Sequence, residues 1–121
     1  MSDNKPTCTT SLNGDKRWFL NGILHREDGP AVEYSNSDKE WWLNGKRHRE
    51  DGPALEWSNG EKEWFLNGKL HREDGPAFEW ANGDKEWFLN GKKTTALEVF
   101  NRANDEQRKH MLCFYPNEFS T

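Results

Sequence analysis

The sequence predicts a mainly β protein: an elongated, single-layer antiparallel sheet of stacked β-hairpin repeats, followed by a short α-helical cap at the C-terminus. Three observations predict it. His-Arg-Glu-Asp-Gly-Pro-Ala recurs at His25, His48 and His71, and Trp-(Phe/Trp)-Leu-Asn-Gly recurs at Trp18, Trp41, Trp64 and Trp87, with a period of 41 − 18 = 23 residues. A unit this short cannot bury an apolar face alone and is stabilised by stacking on its neighbours. The aromatic runs are short and bounded by Asn-Gly or Gly-Pro, as strands between turns are. After Lys93 the period stops and helical signals replace it.

Residues 1–11 are polar and rich in Ser and Thr, which predicts a flexible N-terminal segment. The array spans 12–93. It opens with a half unit, full units occupy about 16–38, 39–61 and 62–84, and a last half unit stops where another His-Arg-Glu-Asp is due. Asn59-Gly60 and Asn82-Gly83 predict tight type I′ turns, because Asn-Gly accepts the positive φ such turns need. The equivalent Asn36-Ser37 lacks the Gly and is expected to be the least tight.

Symmetry sets the strand count. Two antiparallel strands per unit restore chain direction and side-chain facing in every copy, whereas three would invert alternate copies. Residues 44–52 then become a connection, and all His-Arg-Glu-Asp copies line one edge, roughly 10 Å apart at a strand spacing of roughly 4.8 Å. Alternation places Trp41 and Leu43 opposite Glu40 and Trp42, and Leu55 and Trp57 opposite Ala54 and Glu56. Both faces are partly apolar, and a curved sheet would shelter one of them. In the segment 94–121, Thr95 and Glu98 have capping-box spacing, as do Asn104 and Gln107. Two short helices between Thr95 and Tyr115 are expected to cover the last open strand.

Composition narrows function. Charged residues make up 31% and hydrophobic residues 32% of 121 residues, yet seven Trp and seven Phe supply the apolar area that disordered chains lack. A formal charge of −4 argues against binding nucleic acid by counterion release. Cys8 and Cys113 lie outside the repeats and form no CxxC pair, which fits reduced thiols. No export signal or apolar membrane span is present, so a cytoplasmic protein without a membrane anchor is expected.

Chemistry-bearing residues each have a plainer reading. His25, His48 and His71 invite a metal, but residues roughly 10 Å apart cannot converge on ligand bonds of about 2 Å, so no metal or cofactor is expected. No nucleophile repeats with them, and no enzyme motif appears. The Asp-Gly-Pro of each copy shapes a turn, with Gly expected to supply unusual φ and Arg expected to pair with carboxylates across adjacent loops. His25, Arg26, His48, Arg49, His71 and Arg72 on the edge, and Trp42, Arg47, Phe65 and Phe88 on the aromatic face, are the candidate binding residues. The Trp ladder itself is expected to be core.

The string from Glu40 to His48, followed by Gly52 and Asn59-Gly60, resembles the MORN repeat, a 23-residue unit with an aromatic pair, Gly-Lys-x-His, Gly and a closing Asn-Gly. It is most similar to MORN-variant repeats of small bacterial and bacteriophage proteins, including YwqK-type antitoxin-like proteins. The resemblance implies a stacked-hairpin sheet that contacts another protein and in some cases a second copy of itself. His-Arg-Glu-Asp-Gly-Pro replaces the usual His-Gly-x-Gly, which weakens the lipid contact that some MORN proteins make. The leading expectation is therefore a non-enzymatic protein-binding module, an inhibitor or antitoxin that blocks a host or defence protein. The alternatives are a nucleotide-sequestering module, with Trp42 or Phe65 stacking on the base and Arg49 or Arg72 holding phosphate, and a cell-wall carbohydrate or choline-binding repeat.

Overall fold

A computed structural model of the chain describes residues 5–119. It begins with β1 (Thr7–Thr10), β2 (Lys16–Leu20), β3 (Ile23–Leu24) and β4 (Val32–Glu33). The middle unit supplies β5 (Lys39–Glu40), β6 (Trp42–Leu43), β7 (Lys46–Arg47) and β8 (Leu55–Glu56). The next supplies β9 (Lys62–Glu63), β10 (Phe65–Leu66), β11 (Lys69–Leu70) and β12 (Phe78–Glu79), before β13 (Lys85–Leu89) and β14 (Lys92–Thr94). Helices α1 (Ala96–Arg102) and α2 (Asp105–Phe114) follow, with a 3-10 turn at Pro116–Glu118. The principal sheet is antiparallel in the order β1-β2-β4-β5-β8-β9-β12-β13-β14, so each unit adds two strands to it.

The connection predicted for 44–52 is only partly a loop. Its first residues fold back on the unit's own strand, β6 pairing with β7 and β10 with β11. The long aromatic strand changes partner at its Trp: Trp41 N donates to Ala54 O at 2.7 Å, while Trp41 O accepts from His48 N at 3.1 Å. Each unit thus consists of a principal hairpin and a side hairpin sharing one bent strand.

Asn44 and Gly45 have φ of 51° and 77°, the consecutive positive values of a type I′ turn, at the tip of the side hairpin. Asn59-Gly60, where that turn was expected, is different. Gly60 alone is left-handed, with φ 98°, and its N donates to Trp57 O at 2.9 Å, closing a three-residue loop with a bulge. The reason is the Asn side chain: Asn59 Oδ1 accepts from Glu61 N at 2.9 Å, an Asx turn. The Asn36-Ser37 loop makes the same backbone bonds, Tyr34 N to Asp38 O at 2.9 Å and Ser37 N to Tyr34 O at 3.0 Å. It is as tight as the others, but Ser37 is forced to φ 81°.

Two rows cross the sheet. On one face Lys16, Glu33, Lys39, Glu56, Lys62, Glu79 and Lys85 are successive cross-strand partners, alternating in charge throughout. Opposite-charge neighbours of this kind contribute about 0.2–1 kcal/mol each. On the other face Val32, Glu40, Leu55, Glu63, Phe78 and Glu86 alternate apolar with acidic. Val32 and Leu55 are buried, Phe65 packs on Leu55, and the buried Glu40 carboxylate is satisfied by the Tyr34 hydroxyl and by Trp42 Nε1 at 2.9 Å. Burial, reinforced by the Glu40 hydrogen bond, pushes the Tyr34 phenol up to about 12, and burial raises that of Tyr115 as well.

Both ends depart from expectation. Within the N-terminal segment, Thr7–Thr10 is a strand rather than a flexible leader: Thr7, Thr9 and Thr10 are β-branched, and the segment pairs with the open edge of β2 from Thr7↔Phe19 to Thr10↔Lys16. Residues 1–4 of that segment lie outside the described residues. At the other end, Thr95 Oγ1 accepts from Glu98 N at 3.1 Å and Asn104 forms a complete capping box with Gln107. The helices pack against Trp87 through Val99, Met111, Phe100, Tyr115 and Phe119. They cover a face of β13, while the outer edge is β14, where exposed Lys92 and Lys93 oppose pairing with another sheet. Among the described residues no helix is long and apolar enough to cross a membrane.

Two outcomes are expected. Ser37→Gly relieves left-handed strain and should raise stability by about 1 kcal/mol in urea unfolding, with no gain contradicting the strain. Burial raises both phenols, Tyr34 to about 12, so in the native protein tyrosinate absorbance should develop at higher pH than in denaturant, where it centres at about 10. An unfolded-like titration with the native circular dichroism retained would contradict the burial of Tyr34 and Tyr115.

Candidate binding surface

The ten candidate residues divide between two sides of the sheet. Trp42, Arg47, Phe65 and Phe88 share the face of Val32 and Leu55. Phe65 is buried there, Trp42 and Phe88 are half-buried, and the Arg47 guanidinium lies 5.4 and 5.5 Å from the Trp42 and Phe65 ring centroids. Leu24 and Leu70, at the positions equivalent to Arg47, pair with Phe19 and Phe65. Variation between copies at this position is therefore internal packing.

The His-Arg-Glu-Asp copies occupy the other side, and each is built alike. In the middle copy Arg49 Cζ lies 3.9 Å from the Trp41 ring centroid. Arg49 Nε donates to Asp51 Oδ1 at 3.1 Å, and one terminal nitrogen donates to Pro53 O and Glu56 Oε1, each at 3.1 Å. Arg26 stacks on Trp18 at 3.9 Å and Arg72 on Trp64 at 3.8 Å, with the matching partners Asp28, Pro30 and Glu33, and Asp74, Pro76 and Glu79. The carboxylates are those of the same unit, not of the adjacent loop. A flat, weakly hydrated guanidinium can stack and donate in its plane at once, which a lysine ammonium cannot.

The Gly of each copy is explained by the same stack. None of Gly29, Gly52 and Gly75 is left-handed; a Cβ on Gly52 would stand 2.7 Å from Arg49 Cζ, and the others 2.9 and 2.6 Å from theirs. The residue is small because an arginine lies against it.

Histidine links consecutive units. His48 Nδ1 accepts from Asn67 N at 2.9 Å, as His25 does from Asn44 and His71 from Asn90. An accepting Nδ1 places the neutral ring's proton on Nε2, which faces Glu50 at 3.7 Å. His25 and Arg72 are buried, and His48, His71, Arg26 and Arg49 are mostly so. Among the described residues, no group of three or more His, Cys, Asp or Glu side chains is placed to hold a metal.

With His and Arg turned inward, the first two loops project the residues between them and the Gly, while in the third Glu73 and Asp74 are 63% and 36% exposed. Glu27, Asp28, Glu50 and Asp51 have side chains 82–89% exposed. Sequence reasoning passed over them in favour of the cations. Between the first two loops lies a cleft of about 620 Å³ lined by Trp41, Leu43, His48 and the loop residues. An equivalent cleft of about 200 Å³ lies one unit further on, lined by Trp64, Leu66 and His71. Gln107 of α2 narrows the second, donating to Glu73 at 3.5 Å. Arg49, Glu50 and Asp51 form the wall common to both. After the third loop, α1 takes the place of a fourth, and Trp87 receives Val99, Met111 and Tyr115 instead of an arginine.

Comparison with known protein families, with curated proteins and with solved structures finds no match to this chain.

Gly52→Ala should cost about 1–3 kcal/mol by overpacking. The cost should shrink when Arg49 is also Met. An equal penalty in both backgrounds, measured by chemical denaturation, would show that the guanidinium is not the obstacle.

Proposed function

We propose that the protein is a non-catalytic, MORN-like module that binds another protein through the ridge formed by its three His-Arg-Glu-Asp loops. The observation that carries this reading is the division of labour within each loop. Arg and His are consumed in holding the unit together, while the residues beside them project into solvent and frame clefts that repeat with the units. A regular, projecting ridge on a rigid sheet is a surface for an extended partner. The open aromatic face is the weaker candidate, since Phe65 is buried there and Trp42 donates to Glu40.

An inhibitor or antitoxin working in a cytoplasm, of bacterial or phage type, fits such a module, because occluding a partner needs contact area and no reacting groups. Nucleotide sequestration is less well supported. The guanidiniums of Arg49 and Arg72, which would hold phosphate, already stack on Trp and donate to carboxylates of their own units. The excess of carboxylates beside them would also repel an anion.

The test is site-resolved photocrosslinking in the producing cell. A photoreactive residue in place of Glu50 should trap a discrete protein partner, while one in place of Asn59, exposed on a turn of the principal hairpins, should not. Adducts from Asn59 alone, or from neither position, would count against the ridge.

A further inference from the structure

Resting on the reading of the ridge as a protein-binding surface, we infer that the clefts between its loops accept successive cationic side chains of a polyproline-II segment carrying Lys or Arg at every third position. Each cleft combines two features that together select a long cationic side chain. Its strand-borne lining is apolar, Leu43 and the part of the Trp41 ring that Arg49 leaves open in the first, and Leu66 with the open part of Trp64 in the second. Its rims carry four exposed carboxylates around the first, Glu27, Asp28, Glu50 and Asp51, with Arg26, His48 and Arg49 set deeper and mostly buried. A Lys or Arg lays its aliphatic stem on apolar surface and keeps its charged head at a polar rim. The charge is not cancelled from within: two guanidiniums, Arg26 and Arg49, line the first cleft beside four carboxylates, and each guanidinium is already paired with the Asp of its own loop and with a strand Glu outside the cleft. An anionic or purely apolar segment is thereby disfavoured.

The backbone conformation of the partner follows from the pitch. Consecutive loops are separated by two strands of the principal sheet, about 9.6 Å at ordinary strand spacing. A polyproline-II helix advances about 9.3 Å in its three-residue turn, so residues i and i+3 face the same way and meet consecutive clefts. A β-strand presents same-side residues about 6.6 or 13.2 Å apart and misses this pitch, and an α-helix comes near it only after two turns, about 10.8 Å, which overshoots by about 1 Å. Among the described residues two clefts lie between loops of the ridge, the second narrowed by Gln107, and the next is walled by Val99, Arg102 and Ala103 instead of a fourth acidic loop, so the recognised unit is Lys-x-x-Lys.

Fluorescence anisotropy with the full chain and labelled synthetic peptides tests this. The probe is four repeats of Lys-Pro-Pro, and the control has the same composition with its lysines grouped in adjacent pairs. The periodic peptide should bind at least tenfold more tightly than the control, and Glu27→Lys together with Glu50→Lys should weaken it by a further tenfold or more. These two side chains are exposed and face only the histidine of their own loop, so circular dichroism should remain native. Equal affinity for both peptides, or no binding of either, would overturn the inference, as would binding unchanged by the two substitutions. Photocrosslinking from Glu50 is independent of peptide conformation. A partner trapped there with no preference for the periodic peptide would leave the ridge standing and remove only the polyproline-II occupant.

Discussion

The arginine laid on tryptophan within each unit is the interaction on which the remainder depends. A single-layer sheet has no second sheet to bury its aromatic residues, and in this chain one guanidinium per repeat serves as the missing layer. It covers the indole, neutralises a loop carboxylate and a strand glutamate, and ties down the carbonyl of the following proline. The constraint reaches outward from there. It demands Gly at the position against which the guanidinium lies, brings the fully buried Ala31, Ala54 and Ala77 close to the strand, and turns the acidic residues of the loop to solvent.

The two ends show what happens when that device runs out. Trp87 has no arginine, and two helices are recruited to do by apolar packing what a single side chain does elsewhere. The join is made at Tyr115, whose hydroxyl accepts from Arg72 at 3.1 Å and donates to Glu79 at 2.9 Å. The last complete stack is thus bonded directly to the cap. At the N-terminus the problem is an open edge rather than an open face, and Thr7–Thr10 resolves it as one added strand.

What was legible in the sequence was local or periodic. The 23-residue period, two strands of the principal sheet per unit, the helices announced by Thr95 and Asn104, and the alternation of faces all follow from spacing alone. The turn types did not, because Asn-Gly serves two geometries and the choice rests on whether the Asn side chain bonds two residues onward, as Asn59 does, or stands at a side-hairpin tip, as Asn44 does. The side hairpin stayed hidden because the aromatic strand looks continuous; its bend at Trp41 appears only once the partners of its N–H and C=O are known. The orientation of the loop was hardest to read. Arg49 finds its ring eight residues back and His48 its donor nineteen residues ahead, distances at which no pattern in a single copy announces a contact. The Gly that signals the stack is indistinguishable in sequence from one that makes a turn.

The histidine links carry a consequence for how such a chain can change. Each imidazole reaches the next side-hairpin tip and no further, so a unit inserted whole between two others would find a donor above it and an acceptor below, with neither end disturbed. Length is then an adjustable quantity in steps of 23 codons. Because every added step would bring one more cleft to the row, avidity toward an elongated partner could grow by duplication, without any existing contact being redesigned.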